Sequence, residues 1–142
     1  MKYFVLIGRI LFSLIFLMTM MSHFSDKAVQ YAASNGVPMP QVLVPLSGII
    51  AIAGGLSVLL GYKAKAGAWL LVIFLVPVTL MMHKFWAQTD PMMMQMQMVN
   101  FMKNLALLGG AFLITYFGAG PLSMDARAAK PAKKEERRRM AA

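Results

Sequence analysis

The sequence predicts an all-α fold: an integral membrane four-helix bundle with a short external interfacial helix and a basic cytoplasmic tail. Two observations lead to this class. Of the 142 residues, 59% are hydrophobic and only 13% are charged, which is typical of a membrane protein and not of a soluble domain. The charged residues also lie between or beyond the apolar runs, and four of these runs are long enough to cross a bilayer. We expect the transmembrane domain to occupy residues 1–122 and the tail residues 123–142.

The four predicted spans are apolar stretches with almost no charge. The second and third contain none, the first contains only Arg9, and the fourth contains only Lys103. The first stretch could instead be a cleaved signal peptide, but its length, its internal arginine and its lack of a small-x-small cleavage site favour a span. Pro77 removes one hydrogen bond from the third span and is expected to kink it. The predicted spans are residues 3–21, 42–61, 66–82 and 98–117.

Local capping signals predict two helix starts between the spans. Ser25 is a good N-cap and Asp26 complements the helix dipole, while Asn35-Gly36 is typical of a helix end. A short helix over residues 26–34, lying on the outer surface, is therefore favoured over a plain connecting loop. Asp90 followed by Pro91 indicates the start of the last helix, because proline has no N–H to satisfy at that position.

The distribution of Lys and Arg predicts the orientation in the membrane. If the N-terminus is cytoplasmic, the outside carries only Lys27, Lys84 and Lys103. The inside then carries Lys2, Arg9, Lys63, Lys65 and all the basic residues of the tail. By the positive-inside rule, both termini are predicted to be cytoplasmic, and the predicted location is the bacterial cytoplasmic membrane.

The net charge of +9 does not indicate nucleic-acid binding here, because seven of the 14 basic residues lie after Gly120. A polybasic segment next to a span is typical of a membrane surface. The lipid bilayer, with anionic lipid for the tail, is therefore the expected partner, although a solvated tail that merely fixes topology is equally compatible. Cysteine is absent, so disulfides and thiolate chemistry are excluded.

Small residues repeat every four positions where helices are expected to touch. Ser47, Ala51 and Gly55 form such a row in the second span, and Ala106 and Gly110 do so in the fourth. Gly110 lies seven residues after Lys103 and thus on nearly the same face. The Lys103 face is therefore predicted to point into the bundle.

Polar residues in the outer half of the predicted bundle form a candidate ligand site. Lys offers donors, Asn offers donors and acceptors, and His can do either near neutral pH, which suits a ligand with carbonyl or anionic oxygens and an apolar body. The alternative is a polar network that only holds the helices together. The candidate residues are His23, His83, Trp86, Gln97, Asn100, Lys103 and Asn104, with Arg9 toward the cytoplasmic side.

Arg9 and the methionines after Pro91 have other interpretations as well. All five acidic residues lie outside the spans, so Arg9 could reach lipid phosphate, carbonyls or a bound anion. The run Met92–Met98 could form the apolar wall of the site. Thioethers also suit Cu(I), but methionine is a flexible apolar filler that this chain uses 15 times, so no metal site is predicted.

Several of these segments together resemble the DoxX family of small four-helix membrane proteins. They are Gly8-Arg9 in the first span, His23-Phe24 at its end, Gly36-Val37-Pro38, Gly54-Gly55, the third-span ending PVT with HKFW, and residues 95–110 with FMKNLALLGG. The resemblance covers roughly residues 4–120, and FMKNLALLGG is its most specific part. The family name comes from the small membrane subunit of an archaeal thiosulfate:quinone oxidoreductase, and more distant relatives include an endoplasmic-reticulum cargo receptor.

The resemblance implies a fold more directly than a function. It makes a quinone a possible cofactor and a redox or other membrane protein a possible partner, and a homo-oligomer is also compatible. Many members carry a glutamate three residues before the paired glycines, where this chain has Ala51. If that glutamate partners the first-span arginine in the family, Arg9 has lost it here.

Three function classes follow from the sequence. The first is a non-catalytic or accessory membrane module that binds a lipid, a quinone or a partner protein. The second is the membrane subunit of a quinone-linked oxidoreductase, and the third is a small transporter. No nucleotide motif or nucleophile constellation is recognisable, so an enzyme acting on its own is disfavoured.

Overall fold

The structure is a computed structural model that describes residues 2–129, and within them it contains helices and no strands. The all-α prediction is therefore confirmed, as is the number of four helices long and apolar enough to cross a membrane. The helices are α1 (Lys2–Met18), α2 (Asp26–Ser34), α3 (Pro40–Leu60), α4 (Ala64–Met82) and α5 (Pro91–Phe117). Short 3-10 segments follow α1 (Met20–Phe24) and α4 (Phe85–Ala87), and residues 124–129 form a last helical turn, α6.

Both helix starts that the capping signals predicted are confirmed. The Ser25 side chain accepts a hydrogen bond from the backbone N–H of Ala28 at 3.3 Å, and α2 has the predicted bounds. The Asp90 carboxylate accepts from the backbone N–H of Met93 at 2.8 Å, with Pro91 in the first helical turn. These boundaries were predictable because a cap depends on neighbouring residues and not on the rest of the fold.

Helices α3 and α4 form the centre of the bundle, with α1 packed on α3 and α5 packed on α4. Close approach depends on glycines. A Cβ built on Gly54 would lie 2.7 Å from the Leu71 side chain, and one built on Gly55 would lie 3.3 Å from Phe16 Cβ. The predicted small-residue row of α3 is therefore partly correct, since Ala51 and Gly55 are buried whereas Ser47 is only half-buried. In α5, Ala106 is exposed and makes no such row with Gly110.

The bundle has two distinct ends. At one end lie α2, the 3-10 turn before it and residues 83–90; we call this the α2 end. At the other lie the start of α1, the α3–α4 turn and residues 118–129; we call this the terminal end. The four long helices alternate in direction, so the first and the last described residues, 2 and 129, lie at the same end of the bundle.

Arg9 lies at the terminal end and is only 4% exposed. Its Nη1 donates to the carbonyl of Ala119 at 2.6 Å, and its Nη2 donates to the carbonyls of Leu122 at 2.9 Å and Leu59 at 3.4 Å. Of the partners considered from the sequence, backbone carbonyls are therefore the observed ones. The alternative in which the side chain reaches lipid phosphate is wrong, because residues 118–123 cover the guanidinium.

Asp125 secures this covering segment to the bundle. Its two carboxylate oxygens accept hydrogen bonds from the backbone N–H groups of Lys63 at 2.7 Å and Ala64 at 3.0 Å, so it caps the start of α4. Its own N–H donates to the Gly61 carbonyl at 2.8 Å. The first residues of the predicted tail, including the buried Ser123, thus lie against the helical domain. Residues 130–142 of that tail lie outside the described part of the chain.

Candidate functional site

A cavity of about 380 Å³ lies at the α2 end, enclosed by α2, the turn before it, α3 and α4. This volume is at the lower end of the range of about 300–1,000 Å³ for small-molecule sites. Most of its lining is aliphatic or aromatic, as is typical of such sites. Five lining residues carry polar side chains: Ser22, His23, Tyr31, Ser47 and His83.

Helix α2 covers the cavity because one of its faces is tied to the rest of the fold. Ala32 is the buried residue of α2, and the Tyr31 hydroxyl of the same helix accepts a hydrogen bond from Gln97 Nε2 at 2.9 Å. Gln97 Oε1 in turn pairs with His83 Nδ1 at 2.8 Å. At the end of α2, Lys84 Nζ donates to the Asn35 carbonyl at 3.1 Å. Hydrogen bonds therefore link α2 to α5 and to the turn after α4.

His23 forms the opposite wall of the cavity. Its Nδ1 lies 3.1 Å from the Thr19 carbonyl, and its ring packs edge-on against Phe74 with 5.7 Å between centroids. A Cβ built on Gly48 would lie 2.7 Å from His23 Cβ, so the glycine allows the turn to approach α3. The position of His23 is therefore fixed by its own turn, by α3 and by α4.

The cavity also reaches the lateral surface of the bundle. Leu46 of α3 and Ile73 and Pro77 of α4 line it, and all three are exposed on the outside of the helix pair. In a bilayer this surface faces hydrocarbon. An apolar molecule could therefore enter from the membrane without crossing water.

The structure brings three of the predicted site residues together: His23 and His83 line the cavity, and Gln97 binds His83 from behind. The others lie elsewhere. Trp86 is 57% exposed and packs edge-on against Phe85 and Phe101, outside the cavity.

The predicted inward orientation of Lys103 is wrong. Lys103 is exposed, and its Nζ donates to Asn100 Oδ1 at 3.1 Å on the outer side of α5. The buried face of α5 instead carries Gln97, Asn104 and Ala111, which recur every seven residues. The sequence did not distinguish these faces because α5 is apolar nearly all round, so one lysine and one glycine gave too weak a signal.

The remaining predicted features do not contribute to the cavity either. The methionines Met92–Met98, expected as its apolar wall, lie on exposed positions of α5. Asn104 is buried on the α5 face but does not line the cavity, and Arg9 lies at the opposite end of the bundle.

Two residues of the site were missed from the sequence, Tyr31 and Phe74. Tyr31 lies on α2, which was predicted as a surface helix. Tyr31 and Ala32 follow Ala28 by three and four residues, so the three share one face of that helix, and this spacing was the available signal. Phe74 has no such signal, because the third span is apolar throughout. Only the packing of α4 against α1 and the His23 turn assigns its position.

Four antiparallel apolar helices with buried glycine contacts, and a covered apolar cavity at one end, define a small four-helix integral membrane protein. Comparison with known families agrees. The DoxX family profile matches residues 4–84, which is more than half of the chain. The chain belongs to the DoxX family.

Two curated relatives extend the comparison. The chain is 30% identical over 102 residues to "Inner membrane protein YphA" of Escherichia coli (strain K12), covering 72% of each chain. It is 29% identical over 123 residues to "Inner membrane protein YqjF" of the same organism, covering 85% of this chain and 88% of that protein. The family profile ends before FMKNLALLGG, but the second alignment is long enough that it has to include α5. No solved structure gives a significant match.

Proposed function

We propose that the protein is a non-catalytic membrane module that holds a single amphiphilic ligand, a lipid or a quinone, in the cavity at the α2 end. The observation that supports this most directly is the cavity itself. It is largely apolar, it opens on the lateral surface of the bundle, and its few polar groups lie on the turn before α2, on α2, on α3 and just after α4. That arrangement suits a molecule with an apolar body and one small polar end.

The proposed location is the bacterial cytoplasmic membrane, with both termini in the cytoplasm. The names of the two relatives support the location. The orientation rests on charge, because the terminal end carries Lys2, Lys63 and Lys65 together with the basic tail.

The orientation can be tested with single cysteines, since the chain has none of its own. Cysteines at Asn35 and Ala87 should react with an impermeant maleimide in intact cells. Cysteines at Ala66, which is exposed at the start of α4, and at Ala132 should react only after lysis. Labelling at position 66 in intact cells would overturn the orientation.

The ligand can be tested by native mass spectrometry of the gently extracted protein. We expect a retained lipid or quinone. The substitution Ser47→Leu adds volume on a cavity-lining position of α3 and should abolish retention. The matched substitution Ala53→Leu, on an exposed position of the same helix, should leave it intact. Equal retention in both variants would show that the ligand does not occupy the cavity.

The same measurement separates the other function classes. A catalytic protein that copurifies with a bound quinone would identify the chain as the membrane subunit of a quinone-linked oxidoreductase. A partner protein without a small ligand would identify a scaffold. Binding of the tail to anionic lipid and formation of a homo-oligomer stay predictions.

A further inference from the structure

The polar groups that line the cavity differ in whether they can still donate a hydrogen bond. Ser22 Oγ donates to the Thr19 carbonyl at 2.6 Å, and Ser47 Oγ donates to the Val44 carbonyl at 2.7 Å. A hydroxyl has one proton, so each serine can offer a ligand only the lone pairs of its oxygen. Both serines therefore act as acceptors toward the cavity.

The two histidines are in the same situation. The Thr19 carbonyl can only accept, so His23 Nδ1 has to carry the proton in their 3.1 Å contact. His83 Nδ1 likewise faces the carbonyl oxygen of Gln97, whose amide nitrogen is used by Tyr31. In a neutral imidazole with a protonated Nδ1, the remaining nitrogen, Nε2, is a bare acceptor. Each ring therefore offers an acceptor and no donor.

Tyr31 is the exception among the five polar lining side chains. Its oxygen accepts from Gln97, which leaves its own proton available. The lining thus offers four acceptors, on Ser22, His23, Ser47 and His83, against this single donor. Within residues 2–129, no Asp, Glu, Lys or Arg lines the cavity, so these residues offer a charged end group no counter-charge there.

From this imbalance we infer that the cavity selects an amphiphile whose polar end is an uncharged hydroxyl group, an alcohol or a phenol, over one that ends in a carbonyl, an ether or a charge. This inference rests on the proposed function and narrows its ligand: a lipid alcohol or the hydroxyl-bearing reduced form of a quinone fits, whereas an oxidised quinone, which ends in carbonyls, does not. A hydroxyl donates to an acceptor such as a His Nε2 and can accept from Tyr31 at the same time. A carbonyl or an ether oxygen would face the four acceptors without donating to any of them.

The test uses two probes of similar shape, one with a hydroxyl donor and one in which a methyl group takes the place of its proton. The probes are 4-nonylphenol and 4-nonylanisole, in which a methyl group replaces the hydroxyl proton. Apparent Kd values would be measured with the full chain in lipid nanodiscs, with empty nanodiscs as the partition control, at about pH 8, where histidine is ordinarily neutral. We expect the phenol to bind about two- to tenfold more tightly, which corresponds to one net hydrogen bond.

Variants then assign the preference to the histidines. In the double variant His23→Phe with His83→Phe, two of the four acceptors are lost while aromatic rings are kept, and the ratio of the two Kd values should fall toward one. The exposed substitution Lys103→Met is the control and should leave the ratio unchanged. The ratio reports on the donor alone, so a general loss of packing, which affects both probes, does not move it.

The outcomes separate the inference from the proposed function. Equal affinity of the two probes for the unaltered protein would overturn the inference and leave the ligand cavity standing. Tighter binding of nonylammonium than of either probe would also overturn it, as would a phenol preference that is undiminished in the double variant. Binding of neither probe above the level of empty nanodiscs would contradict the proposed function, and the inference with it.

Discussion

Asp125 offers the most direct test of the terminal end, because its carboxylate joins the segment after α5 to the start of α4. The substitution Asp125→Ala removes its hydrogen bonds to the N–H groups of Lys63 and Ala64, at 2.7 and 3.0 Å. Losing an N-cap costs about 0.5–2 kcal/mol, and losing a negative charge at a helix start costs about 0.3–1 kcal/mol more. We therefore expect the free energy of unfolding to fall by about 2 kcal/mol.

The assay is thermal unfolding in detergent followed by circular dichroism. For a chain of this size, about 2 kcal/mol corresponds to a Tm lower by about 4–8 °C. Asp125→Asn keeps one acceptor oxygen and should lose about half as much. Asp90→Ala removes a cap that makes one hydrogen bond within its own helix start, and should cost about 1 kcal/mol.

A Tm of Asp125→Ala within error of the unaltered protein would refute the reasoning, because it would mean that the segment does not hold the start of α4. Truncation gives an independent check. Removing residues 130–142 should leave the Tm unchanged, whereas removing 123–142 should lower it at least as much as Asp125→Ala does. Equal melting of the two truncated chains would place the end of the folded domain at residue 122, as the sequence predicted.

The remaining predictions concern three other sites. Gly61 has φ +65, and a Cβ there would meet Ser123 and Arg9. Gly61→Ala should therefore lower the free energy of unfolding by at least about 2 kcal/mol. Gly8 has open space around it, so the control Gly8→Ala should be neutral or stabilising in the same melting assay. Ala51→Glu should lower the free energy of unfolding by several kcal/mol, whether or not Arg9→Met is also present. The reason is that Ala51 is 1% exposed and lies about 12 Å along α3 from the Leu59 carbonyl that Arg9 binds. Clear coupling in a double-mutant cycle would contradict this. Lys103→Met should change the free energy of unfolding by no more than about 0.5 kcal/mol and should leave ligand retention unchanged, because the Lys103 side chain is exposed. Loss of ligand retention would show that Lys103 contributes to the site.

The sequence by itself determined the fold class, the four spans and two of the helix starts. Length and hydropathy are enough to identify spans, because each crossing has to satisfy its own backbone in a medium without water. Ser25 and Asp90 fixed two helix starts for a similar reason, since a cap and the N–H groups it binds are neighbours in the chain. The two histidines of the cavity were also among the residues selected from the sequence.

Only the tertiary structure decided which polar residues meet. Gln97 and Asn104, not Lys103, face the bundle, because a helix that is apolar on most sides takes its orientation from its neighbours and not from its own pattern. The cavity depends on how α2 folds back over α3 and α4, which no local signal specifies. Arg9 finds its carbonyls on residues 119 and 122, more than a hundred positions away, and Asp125 binds the N–H of Lys63, 62 positions before it. Contacts of this range are set by the packing of whole helices, so the sequence pattern around each residue carries no record of its partner.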